Sequence, residues 1–384
     1  MSTKSRGYIA DHVTSKPRDL ARPRGQISHV RKRRRSEQDS AEWRKEKAAH
    51  ISALLKRGQD ISREEIRSLA MTEGGLLSNE YRKVLWLQYL GVDEKTCVTE
   101  CDITEFRDYT QVCLDVHRCN SRIKTGTLSQ QILAIKNRLR NVIIKSLAEA
   151  PNQHYYQGYH DVSLTMLYVL GERRAAALMS CLCRAHLASH IRENLDETSQ
   201  QMKLIVPLVS QKSVELADFI LQSEAGTMFS LSWIITWFAY VVNSEDTIYR
   251  LYDVFITSPP LMPVYLSAAI VLYRKHRILE VECELSSVHQ VLHNLPQHLP
   301  FDLLIKNAVE LLDEFPPEII KTLPIKQHQI MLQVPRFGYL DWSRNWGGKL
   351  LEYANTPAGI AISSSFLVGF AAFALSVYSG RFQM

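Results

Sequence analysis

From Ala41 onward, apolar residues recur at three- and four-residue intervals. In QQILAIKNRLRNVIIKSLAEA, the side chains of Ile132, Ile135, Leu139, Val142 and Ile143 fall on one stripe of a helix with 3.6 residues per turn. The stretch AEWRKEKAAHISALLKRG repeats the pattern and closes at Gly58. DVSLTMLYVLGERRAAALMSCLCRAHLA reads as two helices parted by Gly171. No segment sustains the period-two alternation of a half-buried strand, and no hairpin signal joins two apolar runs. The pattern predicts an all-α body.

Three stretches carry no charge. AGTMFSLSWIITWFAYVVN and VFITSPPLMPVYLSAAIVLY each approach the ~20 residues needed to span a bilayer. Pro259, Pro260 and Pro263 split the second, and the tryptophans of the first sit centrally, against the aromatic-belt pattern. Both are expected to be buried core helices. The third, AGIAISSSFLVGFAAFALSVY, Ala358 to Tyr378, reaches about 30 Å at ~1.5 Å per residue, the thickness of a hydrocarbon core. The stretch before it has Pro335, Gly338, Gly347 and Gly348, and the span ends six residues before the last residue. A core helix is the alternative, but nothing downstream would cover its other face. We expect a transmembrane tail anchor at 358–379, inserted after translation. Arg336, Arg344 and Lys349 before the span, against Arg381 after it, put the body on the cytosolic side.

Charge refines this layout. Of 384 residues, 46% are hydrophobic and 22% charged, values of a globular chain with a sizeable core. The formal net charge is +6, yet residues 1–36 alone hold eleven Lys/Arg against two acids, a local +9 that leaves −3 for the remainder. That distribution excludes a basic body that coats nucleic acid. Residues 1–40 are expected to be a disordered basic arm, in which HVRKRRRS reads as a nuclear-localisation patch, an anionic-lipid patch or a plain solvated run. Seven scattered cysteines, an odd number without repeated zinc-ligand spacing, read as reduced thiols. No apolar leader follows the N-terminus, so no secretory signal is expected.

Two short runs carry candidate chemistry. In EFRDYTQVCLDVHRCNSR, a helix places Phe106, Tyr109, Cys113 and Val116 on one side, with Arg118 about 180° from Tyr109. Asp115, three residues before Arg118, is placed to brace its guanidinium, unless the two form an ordinary surface ion pair. In NQHYYQGYHD, Asn152 to Asp161, three tyrosines surround a lone carboxamide, Gln157. Gly158 opens the next helix, so Gln157 sits at a helix N-terminus, where backbone N–H groups favour phosphate. A polar interhelix loop is the plainer alternative.

An exposed Arg followed some 40 residues later by a Gln set in tyrosines resembles the TBC domain, a family of GTPase-activating proteins for Rab GTPases. Its signatures are written I-x-x-D-x-x-R and Y-x-Q-G. Here they read VCLDVHR, Val112 to Arg118, and YYQG, Tyr155 to Gly158, with Val112 in place of the usual Ile. A third signature, R-x-x-x-W, appears as RKVLW, Arg82 to Trp86. The second half of the family is matched by TWFAYVVNSEDTIYRLYDVFI and PPLMPVYLSAAIVLY. The resemblance implies a multi-helix TBC-type domain at 70–315, after N-terminal helices at 41–69 and before a linker at 316–357.

The same resemblance implies roles. Arg118 is expected to act as an arginine finger and Gln157 to orient the attacking water in place of the Rab's own glutamine. Asp115 would hold Arg118, Tyr155 would pack beneath Gln157, and Arg82 and Trp86 would be structural, a buried cation beside an aromatic face. No Walker-type phosphate loop occurs, so no cofactor is expected in this chain; GTP and Mg²⁺ would be carried by the Rab. Together with the anchor, the likeness points to a tail-anchored member of the endoplasmic-reticulum membrane acting on a GTP-state Rab of ER-to-Golgi traffic. Two rivals stand beside it. One is a non-catalytic Rab-binding membrane scaffold. The other is a metal-dependent phosphohydrolase built on His160 and Asp161 with His154 nearby.

Overall fold

The computed structural model describes residues 42–58, 61–92, 103–123, 126–148 and 152–326. The expected basic arm at 1–40, the part of the expected 316–357 linker after residue 326 and the anchor at 358–379 lie outside the described residues; the start of that linker carries a short helix, Pro317–Ile320, with Ile320 buried. The described chain falls into two compact units that meet in sequence between Ala53 and Leu54. In the first, residues 42–53 are helical. Everything that follows belongs to the second.

That unit is helical and shows no strand among the described residues. It begins with α1 (Arg63–Met71), α2 (Asn79–Leu90), α3 (Tyr109–Arg118), α4 (Ser129–Ala148), α5 (Tyr159–Leu170) and α6 (Glu172–Arg184). Next come α7 (Asp196–Met202), α8 (Ile205–Lys212), α9 (Val214–Gln222), α10 (Leu231–Ile235) and α11 (Glu245–Ile256). The last are α12 (Met262–Tyr273), α13 (Lys275–Leu279), α14 (Leu285–His293), α15 (Phe301–Glu314) and α16 (Pro317–Ile320). Helix α4 packs on α3, α5 and α6, while α12 packs on α8 and α15. Between these groups, α2 touches both α5 and α11.

Local sequence accounts for the helix ends. Ser62 and Glu65 form a reciprocal capping box on α1, and the bonds from Arg57 and Ser62 hold the Glu65 carboxyl down to about 2. Gly91 closes α2 with a φ of 67°. Gly171 separates α5 from α6, as the Gly break in the sequence predicts. Pro263 sits in the first turn of α12, where its missing N–H costs nothing.

The charge-free stretch at 225–243 is buried, as expected, but it is not one helix. A short 3-10 turn at Met228–Ser230 leads into α10, which ends at Ile235. Trp237 and Phe238 then take φ values of 50° and 65°. Such a backbone disfavours L-residues by roughly 1–2 kcal/mol each. Packing offsets that cost, because both rings are essentially fully buried. The Trp237 ring lies 5.2 Å from that of Tyr252 and 5.5 Å from that of Phe255, and Phe238 stacks on Phe255 at 6.0 Å. No helix among the described residues is long and apolar enough to cross a membrane.

Arg82 and Trp86 meet at a buried carboxylate. Arg82 donates to Asp253 through Nε at 3.0 Å and Nη2 at 2.9 Å. Trp86 Nε1–H and the Leu76 N–H reach the same carboxylate, each at 2.9 Å. The aromatic face beside the Arg82 cation belongs to Tyr249, 5.6 Å away, so Trp86 contributes its indole N–H to the carboxylate rather than that face. One turn earlier on α11, Arg250 donates to Asp302 and to the Ala70 carbonyl. These pairs fasten α11 to α1, α2 and α15.

Candidate functional site

The site is built on the end of α3 and the loop that enters α5. Helix α3 buries Val112, Asp115 and Val116. The buried stripe is thus rotated from the one expected through Phe106, Tyr109, Cys113 and Val116, and it includes an acid. A carboxylate enters a core only when its oxygens find donors. Here Gln111 Nε2 donates to Asp115 Oδ1 at 3.1 Å, and the Tyr155 hydroxyl donates to Oδ2 at 3.0 Å. The surface ion-pair alternative for Asp115 is therefore excluded, since the carboxylate is only 2% exposed.

Arg118 ends α3 with its side chain half exposed. Its Nη1 lies 3.9 Å from Asp115 Oδ1, a Coulombic brace too long to be a hydrogen bond. At that distance the carboxylate faces the guanidinium without accepting a hydrogen bond from it. The end of the helix is fixed from behind, where Lys136 Nζ donates to the His117 carbonyl at 2.7 Å and Arg122 Nη1 to the Asp161 carbonyl at 2.6 Å.

The loop carrying Gln157 is pinned residue by residue. Arg107 donates to the Gln153 carbonyl at 2.6 Å, and the His154 N–H reaches the Ile191 carbonyl at 2.8 Å. The N–H of Tyr155 donates to Asp108 Oδ2 at 2.9 Å, a carboxylate at the N-cap position of α3 that makes no cap bond to its own helix. Tyr156 sends its hydroxyl to the Ile235 carbonyl at 2.8 Å, and that of Tyr159 lies 2.7 Å from Ser146 Oγ. Gln157, half-buried, follows this rigid run and directly precedes Gly158.

Gly158 is required twice over. Its φ is 113°, and a Cβ there would lie 3.0 Å from Thr236 Cγ2. The glycine therefore lets the chain turn sharply into α5 while lying against the end of α10. The expectation that Gly158 opens that helix holds, since it occupies the N-cap position of α5.

The hydrogen bond from Tyr155 to Asp115 joins the two sequence motifs. Arg118 is one turn from Asp115, and Gln157 is two residues from Tyr155. Tyr155 is a polar link between them, and its ring lies 6.2 Å from that of Tyr159. Burial first, and then the Asp115 charge, push the Tyr155 phenol well above its usual range, so it stays protonated and able to donate.

The residues proposed for metal chemistry are engaged otherwise. His160 Nδ1 lies 3.0 Å from the Tyr155 hydroxyl, and Asp161 Oδ1 lies 3.8 Å from Arg122 Nη1. Among the described residues, no group of three or more His, Cys, Asp or Glu side chains is placed to hold a metal ion.

Several contributors escaped the sequence reading. Asp108 and Gln111 have no mark in the sequence beyond their closeness to Arg118. Asp253 had a usable signal: it stands with Arg250 in the otherwise apolar run YRLYDVFI, and charges in such a run demand partners.

Known proteins share both the sequence pattern and the helical fold. The Rab-GTPase-TBC domain model matches residues 79–279. TBC1 domain family member 20 of Mus musculus is 40% identical over 277 residues, which cover 71% of this chain and 69% of that protein. GTPase-activating protein gyp10 of Schizosaccharomyces pombe is 30% identical over 264 residues, covering 67% of this chain and 69% of that one. The solved Chlamydomonas flagellar RabGAP TBC domain shares the fold with a TM-score of 0.54 at 13% identity, covering 71% of this chain and 94% of its own. The chain belongs to the Rab-GTPase-TBC family of Rab GTPase-activating proteins.

Proposed function

We propose that this chain accelerates GTP hydrolysis by a GTP-loaded Rab of the early secretory pathway, with Arg118 as an arginine finger and Gln157 orienting the attacking water. Residues 358–379 hold it in the endoplasmic-reticulum membrane with the catalytic body facing the cytosol. The observation that carries the mechanism is the Tyr155–Asp115 hydrogen bond, which ties the Arg118 helix to the Gln157 loop.

Small GTPases are slow because charge develops on phosphate oxygens that lack a full set of donors. An arginine supplied in trans is worth on the order of 10³–10⁵ in rate. Arg suits the task because its planar, permanently charged fork can bridge two oxygens. At half exposure, and braced rather than bonded by Asp115, Arg118 keeps those donors for a guest. Gln157 has both a donor and an acceptor, so it can hold a water against a phosphate. The pinned loop before it means that little ordering remains to be done when the Rab docks.

The test is phosphate release from a panel of GTP-loaded Rabs mixed with the full chain. Faster release from an early-secretory Rab, lost in Arg118→Ala and in Gln157→Ala while Rab binding persists, is the expected result. Binding that slows nucleotide loss without faster release would mark a scaffold instead.

A further inference from the structure

The contacts behind Arg118 do not stop at Tyr155. His160, in the first turn of α5, sets Nδ1 3.0 Å from the Tyr155 hydroxyl. Its Nε2 lies 3.6 Å from Asp161 Oδ2, beyond hydrogen-bond reach, so the directional grip on the ring is at Nδ1.

Counting protons fixes the direction of that bond. A phenol carries one O–H, and here it points at Asp115 Oδ2. An ionised carboxylate can only accept. With its proton committed to Asp115, the Tyr155 oxygen has only lone pairs to offer His160. The Nδ1 atom must therefore bring a hydrogen of its own. The order of donation runs from His160 Nδ1–H to the Tyr155 oxygen, and from the Tyr155 O–H to Asp115, whose other oxygen faces Arg118 at 3.9 Å.

This order has a consequence for the finger. A phenolic hydrogen prefers the plane of its ring and so has two resting directions. The Tyr155 hydroxyl has two partners toward which it could turn, Asp115 Oδ2 first and His160 Nδ1 second, each 3.0 Å from its oxygen. A donor standing at residue 160 forbids the second direction and leaves the first.

We propose that His160 is a positioning residue for Arg118: its Nδ1–H holds the Tyr155 hydroxyl turned onto Asp115, and Asp115 so satisfied keeps the guanidinium in place. The proposal rests on the reading of Arg118 as the finger. It gives His160 a task in Rab GTPase activation and none in metal binding.

Three substitutions separate this role from a merely structural one. An Asn at this position carries its amide where the imidazole has Nδ1, so His160→Asn keeps a donor facing Tyr155. A Gln carries its amide one bond further out, so His160→Gln keeps polarity and loses the donor at that place. His160→Ala removes both. With the full chain and a responsive GTP-loaded Rab, His160→Ala and His160→Gln should lower kcat by roughly 10- to 100-fold, the cost of a misplaced catalytic group. KM should stay within about threefold, because an interaction used only in the transition state is lost from kcat. His160→Asn should recover most of the activity. In a Tyr155→Phe background, where the hydroxyl is gone, adding His160→Ala should change kcat by less than about twofold.

Equal kcat for the Asn and Gln variants overturns the proposal, as does a full further loss from His160→Ala on top of Tyr155→Phe. Should His160→Ala fail to fold, as read by thermal melting, the Asn and Gln pair still decides. Arg118→Ala keeps the two ideas apart. If it retains full activity, the finger reading itself is wrong; if it is inactive while His160→Gln is unimpaired, only the role of His160 falls.

Discussion

Asp253→Asn is the substitution whose cost can be worked most fully from the fold. Asp253 is fully buried and accepts four hydrogen bonds. Its Oδ1 takes Arg82 Nε and Trp86 Nε1, and its Oδ2 takes Arg82 Nη2 and the Leu76 N–H. An asparagine has one oxygen, so either amide orientation leaves two donors facing an NH₂ group. It also strips the countercharge from Arg82, which is only 5% exposed. Two bonds to a charged group at about 1.5–3 kcal/mol each give a loss of roughly 3–6 kcal/mol. Removing one partner of a buried ion pair, by itself, costs about 3–5 kcal/mol. The two routes agree near 4 kcal/mol, or a fall in Tm of roughly 8–16 °C for a domain of this size. Urea unfolding followed by tryptophan fluorescence measures the loss directly. The variant Arg82→Met/Asp253→Leu, which removes both charges, should recover a large part of it. A loss below about 1 kcal/mol for Asp253→Asn would refute the reasoning, because it would mean that the carboxylate is hydrated.

Gly158→Ala should destabilise the chain by about 1–2 kcal/mol from its positive φ alone, and the added contact with Thr236 should move Gln157 and lower kcat. Wild-type kcat in that variant would show that the turn does not position the carboxamide. Arg118→Lys keeps a charge but not the fork, so phosphate release should fall by roughly 100-fold while Rab affinity holds; near-normal release would mean that charge alone suffices. Burial pushes His190 down to about 4, below the roughly 6.5 of an unfolded chain. Its contribution is therefore complete above pH 6.5 and is lost as pH falls toward 4. Between pH 7 and pH 5, wild type should lose about 2 kcal/mol more than His190→Gln in matched denaturant titrations, and equal losses would contradict a buried neutral imidazole.

The helical periodicity was legible wherever an apolar stripe faced a polar one. It placed α4 with Leu139, Val142 and Ile143 inward, and the α5–α6 pair on either side of Gly171. It failed where no such contrast exists. The stretch at 225–243 is apolar on every side, so nothing marks where Trp237 and Phe238 leave the helix; the rings of Tyr252 and Phe255 decide that from elsewhere in the chain. Long-range polar contacts were equally invisible. Asp253 stands 171 residues from Arg82, and nothing between them records the pairing. The site shows both cases. Spacing put Asp115 beside Arg118, but its burial depends on a hydroxyl 40 residues away. An acid that reads as a surface brace in one dimension is in the fold the buried joint between two motifs.

The central claim is that one polypeptide brings both a guanidinium and a carboxamide to a phosphate carried by another. The most direct measurement removes the rival source of the carboxamide, replacing the catalytic glutamine of a responsive Rab by alanine and following single-turnover GTP hydrolysis. With the wild-type chain, hydrolysis should remain strongly accelerated, and with Gln157→Ala the acceleration should vanish. Loss of acceleration by the wild-type chain on that altered Rab would contradict the account, because it would show that the water is held by the GTPase and not by Gln157.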